Sequence, residues 1–268
     1  MFKAFYGMEF NPFDKSLDTK YCYKSEDFNQ ASSRLDYLKE IKGFGLFTGN
    51  SGTGKSFTLR CFAQGLNPNL FKVIYIPVST LTVMDFYRAL AYGLGIAPVF
   101  KKIDMFKQIQ ESIGSYYPAK NITPIIILDE AQYLKNAILD DLKILFNFDM
   151  DSRNFAVLIL SGQPILNSML QRQTHEALRQ RIVMNYTFRG LSRTETEEYI
   201  ISRFSSCGVK TTIFTDDAVE LLASLSAGYA RKINLLIEKS LIIGFQKKTF
   251  SLDAQVVYDA QGEIDLTL

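Results

Sequence analysis

The run Gly49-Asn50-Ser51-Gly52-Thr53-Gly54-Lys55-Ser56 has the pattern G-x-x-x-x-G-K-S. Each residue type in it suits the binding of a phosphate chain. Glycines let backbone N–H groups close around phosphate oxygens. A helix starting at Lys55 points its positive end at the same charge. Lys55 can reach the β- and γ-phosphates, and Ser56 offers a hydroxyl to Mg²⁺, with Phe57 next on the helix. The expected cofactors are ATP and Mg²⁺.

A second group follows the run Ile125-Ile126-Ile127-Leu128, which ends in Asp129-Glu130. Apolar residues at this density make a buried strand, and the carboxylates arrive at its C-terminal end, where ligands bind in parallel sheets. Asp129 is expected to hold Mg²⁺, and Glu130 to position or polarise an attacking water. Ser161-Gly162-Gln163 closes another apolar run, so Ser161 or Gln163 could hydrogen-bond the water or the phosphate. Leu178-Arg179-Gln180-Arg181-Ile182 puts two guanidiniums before the next strand. Arginine suits spread phosphate charge and can act from a neighbouring subunit; Arg181 is the first choice and Arg179 the second. Gly228-Tyr229-Ala230-Arg231 opens a later helix, from which Arg231 could point back to the phosphates.

These groups need a scaffold. Strands are expected at Gly43–Thr48, Lys72–Pro77, Pro124–Leu128, Phe155–Leu160 and Val183–Phe188. Helices are expected at Ser32–Lys42, Lys55–Gln64, Val83–Gly93 and Asp104–Tyr116. Short apolar strands alternating with helices argue an α/β fold, a parallel five-stranded sheet flanked by helices. After Gly190 the pattern turns helical, over Thr194–Ser206, Asp216–Ser226, Arg231–Phe245 and Leu252–Ala260. The expected division is residues 1–190, a nucleotide-binding domain with an N-terminal aromatic arm, and 191–268, a small all-helical lid with a short tail.

Composition removes several function classes. Lys and Arg number 30 against 28 Asp and Glu, a net charge of +2, so no strong whole-chain field draws in nucleic acid. The excess is local: residues 1–190 carry 22 basic and 17 acidic residues, and 191–268 carry 8 and 11. No apolar run approaches the ~18 residues of a membrane span. The N-terminus lacks the apolar core of a secretory signal. Three scattered cysteines and one histidine argue against a disulfide framework or a zinc site. His175 is expected at the surface, and the cysteines as packing. A cytoplasmic location is the expectation.

GNSGTGKS, IIILDE, SGQP, LRQRI and GYARKIN, in this order and spacing, resemble the AAA+ ATPases, P-loop NTPases with a helical lid. The N-terminal FYGMEFNPF and the stretch running into GFGLFTGNSGTGKS are similar to the ExeA/TniB group. That group includes the secretion ATPase ExeA and the transposition ATPases TniB, TnsC and, more distantly, Mu B protein. The resemblance spans nearly the whole chain. It implies that Gly49–Ser56 are the Walker A segment and Asp129 and Glu130 the Walker B pair. Ser161 or Gln163 then corresponds to sensor 1, Arg181 or Arg179 to the arginine finger, and Arg231 to sensor 2. The sensor 1 position departs from the common Asn or Thr.

ExeA-type proteins also carry a membrane segment and a cell-wall-binding domain. With about 80 residues after the sheet, the chain is expected on the transposition branch. There the resemblance implies rings or helical filaments of ATP-bound subunits on duplex DNA, and a transposase of the integrase fold or a target-selection protein as partner. Thr80, Thr82, Lys101, Lys102 and Lys107 are the candidate DNA contacts, with Lys120 and Arg153 behind them, all to the phosphate backbone. The rival readings are an ExeA-like secretion or cell-envelope ATPase and a nucleotide-switched adaptor, close to a helicase loader.

Overall fold

The computed structural model describes residues 2–148 and 153–264, with the backbone alone for 117–120. In chain order the elements are α1 (Phe2–Phe5), α2 (Glu26–Ile41), β1 (Phe44–Gly49), α3 (Lys55–Gly65), β2 (Phe71–Pro77), α4 (Val83–Leu94), α5 (Lys102–Lys120) and β3 (Thr123–Asp129). Then come α6 (Asn136–Leu145), β4 (Val157–Gly162), α7 (Ile165–Leu170), α8 (Glu176–Gln180), β5 (Ile182–Phe188), α9 (Arg193–Ser206), α10 (Asp216–Ser226), α11 (Ala230–Gln246) and α12 (Ala254–Ile264).

All five expected strands form, within a residue or two of their expected ends. The α2 helix starts six residues before the expected Ser32. The Ser25 hydroxyl accepts the Phe28 N–H at 3.2 Å, and Glu26 and Asp27 occupy the first turn, where the helix dipole favours negative charge. The α6 helix was not expected. Its apolar residues Ile138, Leu139, Leu142 and Leu145 fall on one face and are buried.

The chain divides into two compact units. The sheet unit holds Gln30–Asn50 and Lys55–Phe188. Its strands are all parallel in the order β2-β3-β4-β1-β5. Successive residues of β3 feed opposite faces. Ile126 and Leu128 join one core cluster, while Ile125 and Ile127 join the other. The same holds for Leu158 and Leu160 against Val157 and Ile159 of β4. Both faces of the sheet are covered, so both sets of side chains must be apolar. An Ile-to-Ala change at these sites would cost about 2–5 kcal/mol. By contrast β5 alternates between half-buried and exposed residues, as an edge strand does.

The helical unit holds Met1–Asn29, Ser51–Gly54 and Arg189–Leu268. Its core joins α9 to α12 with the N-terminal arm. The arm was grouped with the sheet on sequence, but its aromatics pack here. Tyr6, Met8 and Phe13 are buried among Phe204, Ile237 and Leu241. Tyr6 donates from its hydroxyl to the Thr249 carbonyl at 3.1 Å, and Asn11 donates to Glu238 at 2.9 Å. Phe13 meets Phe204 edge to face at 5.2 Å. The apolar face of the helical unit needs such a cover, and five aromatics in the first 13 residues supply it. Among the described residues no helix is long and apolar enough to cross a membrane.

Candidate active site

Four elements of the sheet unit converge on Asp129. The carboxylate is 3 % exposed, at the C-terminal end of β3. Its Oδ2 accepts hydrogen bonds from Ser56 Oγ at 2.8 Å and Tyr75 OH at 2.9 Å. Its Oδ1 accepts from Ser161 Oγ at 2.8 Å and from the Glu130 N–H at 3.1 Å. Burying a carboxylate is costly unless donors of this kind surround it. Strand order supplies them: β2 and β4 flank β3, carrying Tyr75 and Ser161, and α3 brings Ser56.

Lys55 is 6 % exposed, with Nζ donating to the carbonyls of Gly49 at 2.7 Å and Asn50 at 2.9 Å. The ammonium is thus folded over the same loop whose N–H groups suit phosphate. Ser56 Oγ and Asp129 Oδ2 are hard oxygen donors at hydrogen-bond distance, a pair that fits Mg²⁺. Phe57 is half-buried beside the Arg60 guanidinium, 5.2 Å from its ring centre.

Glu130 follows the strand in the left-handed region, at φ 57°. Its Oε2 accepts a 2.6 Å hydrogen bond from Gln132 Nε2, and Gln132 Oε1 accepts the Gln163 N–H at 3.0 Å. Ser161 therefore touches the buried carboxylate through its side chain, while Gln163 enters this network through its backbone. Tyr75, Gln132 and Asn167 are absent from the sequence-based set. Asn167 donates to Thr48 Oγ1 at 3.1 Å, behind the phosphate loop. Burial, then the charge of Asp129, pushes the Tyr75 phenol up to about 12. Tyr75 had no distinguishing signal in KVIYIP. Gln132 stands two residues after Glu130, the one cue available.

The two arginines before β5 differ. Arg181 is half-buried, donates to the Lys143 carbonyl at 2.6 Å and lies over the Phe44 ring at 5.6 Å. Burial lowers the pKa of its guanidinium. Arg179 is exposed, with a 3.2 Å bond to the Gln171 carbonyl. Both precede the N-terminal end of β5, whereas Lys55 and Asp129 follow the C-terminal ends of β1 and β3. Within the helical unit, Arg231 Nη1 donates to Ser51 Oγ at 2.9 Å, and its backbone N–H to the Gly52 carbonyl at 3.3 Å. Gly52 sits at φ 87°, and a Cβ there would lie 2.9 Å from Arg231 Cβ. Ser51, Gly52, Thr53 and Gly54 of the loop belong to this unit.

The candidate DNA contacts are mixed. Thr80, Lys101 and Lys107 are exposed. Thr82 is the N-cap of α4, its Oγ1 accepting the Asp85 N–H at 3.2 Å in a capping box. Lys102 pairs with Asp141 at 2.7 Å. The side chain of Lys120 lies outside the described residues. Phe100, beside Lys101, is 94 % exposed. His175 is buried rather than superficial, 1 % exposed, with Nε2 3.2 Å from Asn136 Oδ1. It is held there because the turn before α8 packs against α6. Cys207 is buried, and Cys22 and Cys61 are half-buried. No cluster of metal-binding side chains occurs among the described residues.

Residues 39–170 match the family model of an AAA domain. Over 251 residues the chain is 33 % identical to general secretion pathway protein A of Aeromonas hydrophila, covering 92 % of this chain and 45 % of that protein. The chain thus spans under half the length of this relative. The fold is similar to Cdc6p of Pyrobaculum aerophilum, with a TM-score of 0.73 and 16 % identity, over 96 % of this chain and 71 % of the other. It is also similar to Drosophila ORC bound to DNA, with a TM-score of 0.71 and 18 % identity, over 98 % and 65 % of the two chains. With the Gly49–Ser56 loop after β1 and the Asp129-Glu130 pair at the end of β3, two strands separated by β4, residues 39–170 carry the features of the AAA domain that they match.

Proposed function

We propose that the chain is an ATP-driven assembly switch that oligomerises on duplex DNA and regulates transposition, through target selection or transposase recruitment. The observation that carries the switch is the Asp129 network: one buried carboxylate tied to the phosphate loop by Ser56 and to β4 by Ser161. A change at the phosphates then reaches two strands through hydrogen bonds alone.

In this reading Lys55 leaves the carbonyls of Gly49 and Asn50 for the β- and γ-phosphates. Ser56 and Asp129 would hold Mg²⁺, which would neutralise phosphate charge when bound. Glu130 takes the proton of the attacking water. Arg231, bonded to Ser51, adds positive charge to the loop. Arg179 completes the site of a neighbouring subunit, since it is exposed while Arg181 is committed to Lys143 and Phe44 of its own subunit. Hydrolysis would then require assembly. Thr80, Lys101 and Lys107 would contact the DNA backbone. A few contacts per subunit suffice, because an oligomer sums them.

The second reading is an ATPase of a secretion pathway, favoured by the 33 % identity to a protein of that name. Electron microscopy separates the two. The protein is imaged with and without duplex DNA, with ADP or a non-hydrolysable ATP analogue, beside Lys55→Ala. Rings or filaments on DNA that need the ATP analogue and vanish in Lys55→Ala are expected. No DNA-dependent assembly, at low as well as moderate salt, would turn the assignment to the secretion reading.

A further inference from the structure

We propose that Gln132 is a positioning residue for hydrolysis, tying the Glu130 carboxylate to the end of β4. The inference rests on Glu130 acting on the water. Its basis is a chain of contacts that the phosphate-loop and Asp-Glu motifs do not contain. Gln132 Nε2 donates to Glu130 Oε2 at 2.6 Å, and Gln132 Oε1 accepts the Gln163 N–H at 3.0 Å. The amide spans the two groups, with each end matched to the partner it needs: a donor to the carboxylate, an acceptor to the N–H.

Two further features are built around this amide. Gly162 leaves the room it occupies, since a Cβ there would lie 2.5 Å from Gln132 Oε1 and 3.3 Å from its backbone nitrogen. Glu130 is held at φ 57°, ψ 38°, a conformation a glutamate adopts only when its surroundings impose it. With one oxygen fixed by Gln132, the other is the one left to the water. Without the amide, the carboxylate of a half-buried glutamate rotates freely, and the near-attack geometry is populated less often. Because β4 also carries Ser161, bonded to Asp129, both carboxylates take their orientation from one strand end.

The test is a double-mutant cycle on the full chain, reading kcat and nucleotide Kd separately. Gln132→Ala is expected to lower kcat by about 10- to 100-fold, with Kd for ATP within about twofold of wild type. In a Glu130→Gln background the same change is expected to cost nothing more, because the residue acts through Glu130. Gly162→Ala, which displaces the amide without removing it, should fall between wild type and Gln132→Ala. Unchanged kcat in Gln132→Ala, or an equal loss in the Glu130→Gln background, would overturn the inference. Unchanged kcat in Glu130→Gln itself would instead refute the role given to Glu130.

Discussion

At the C-terminal ends of β1 and β3 the charged groups are buried yet keep partners they can exchange. Asp129 is saturated by four donors, and Lys55 rests on two backbone carbonyls that a phosphate can replace. At the N-terminal ends of β1 and β5 the arginines divide the work. Arg181 is stacked on Phe44 and bonded to Lys143 of α6, while one residue further upstream than Gln180 the guanidinium of Arg179 reaches solvent. In the proposed function the first end holds the nucleotide of its own subunit. Of the two guanidiniums before β5, Arg179 is the one exposed to anything outside the subunit. In the proposed function, burial of a charge marks a binding group at one end and packing at the other, and the difference lies in what the partners are.

The largest effect should come from Arg179. Arg179→Ala is expected to lower kcat at least about 100-fold, with nucleotide Kd nearly unchanged, when turnover is measured above the assembly concentration. Mixing it with Glu130→Gln should restore part of the activity, since each subunit then supplies what its neighbour lacks. Failure of both would remove the outward role from that end of the sheet. Next is Arg181→Ala, expected to cost about 1–3 kcal/mol of stability through the lost ring contact and charged hydrogen bond. Thermal unfolding reads it. A 100-fold loss of turnover at unchanged Tm would exchange the roles of the two arginines.

The smallest effect lies at the C-terminal end. The Tyr75 phenol stays protonated to about 12 in the fold, against 10.0 ordinarily. The unfolded chain ionises first, so this contribution to stability is whole below pH 10 and lost as pH rises toward 12. Tyr75→Phe should flatten that alkaline decline in Tm. An unchanged slope between pH 9 and 11 would show that the fold does not raise the Tyr75 phenol.

Much of this was legible beforehand. Lys55 and Ser56 stand out because phosphate binding needs glycines and a helix start within eight consecutive residues, and Asp129 and Glu130 because they end an apolar run. The apolar runs of β1, β3 and β4 declare a sheet covered on both faces. Arg181 is the first choice on sequence and Arg179 the second, but two arginines one residue apart carry no signal of which is exposed. The position of His175 was misread, since a lone polar residue carries no periodic signal of burial.

What the sequence alone determined is local: the loop, the strands and the carboxylates at the end of one of them. These follow from backbone freedom and from hydrophobic spacing along a single segment. The tertiary structure decided which side chains serve those groups. Tyr75 stands 54 positions from Asp129 and Ser161 stands 32 away, yet all three meet because β2 and β4 flank β3 in register. Strand order and register set such meetings, and neither leaves a trace in the spacing of residues along one segment.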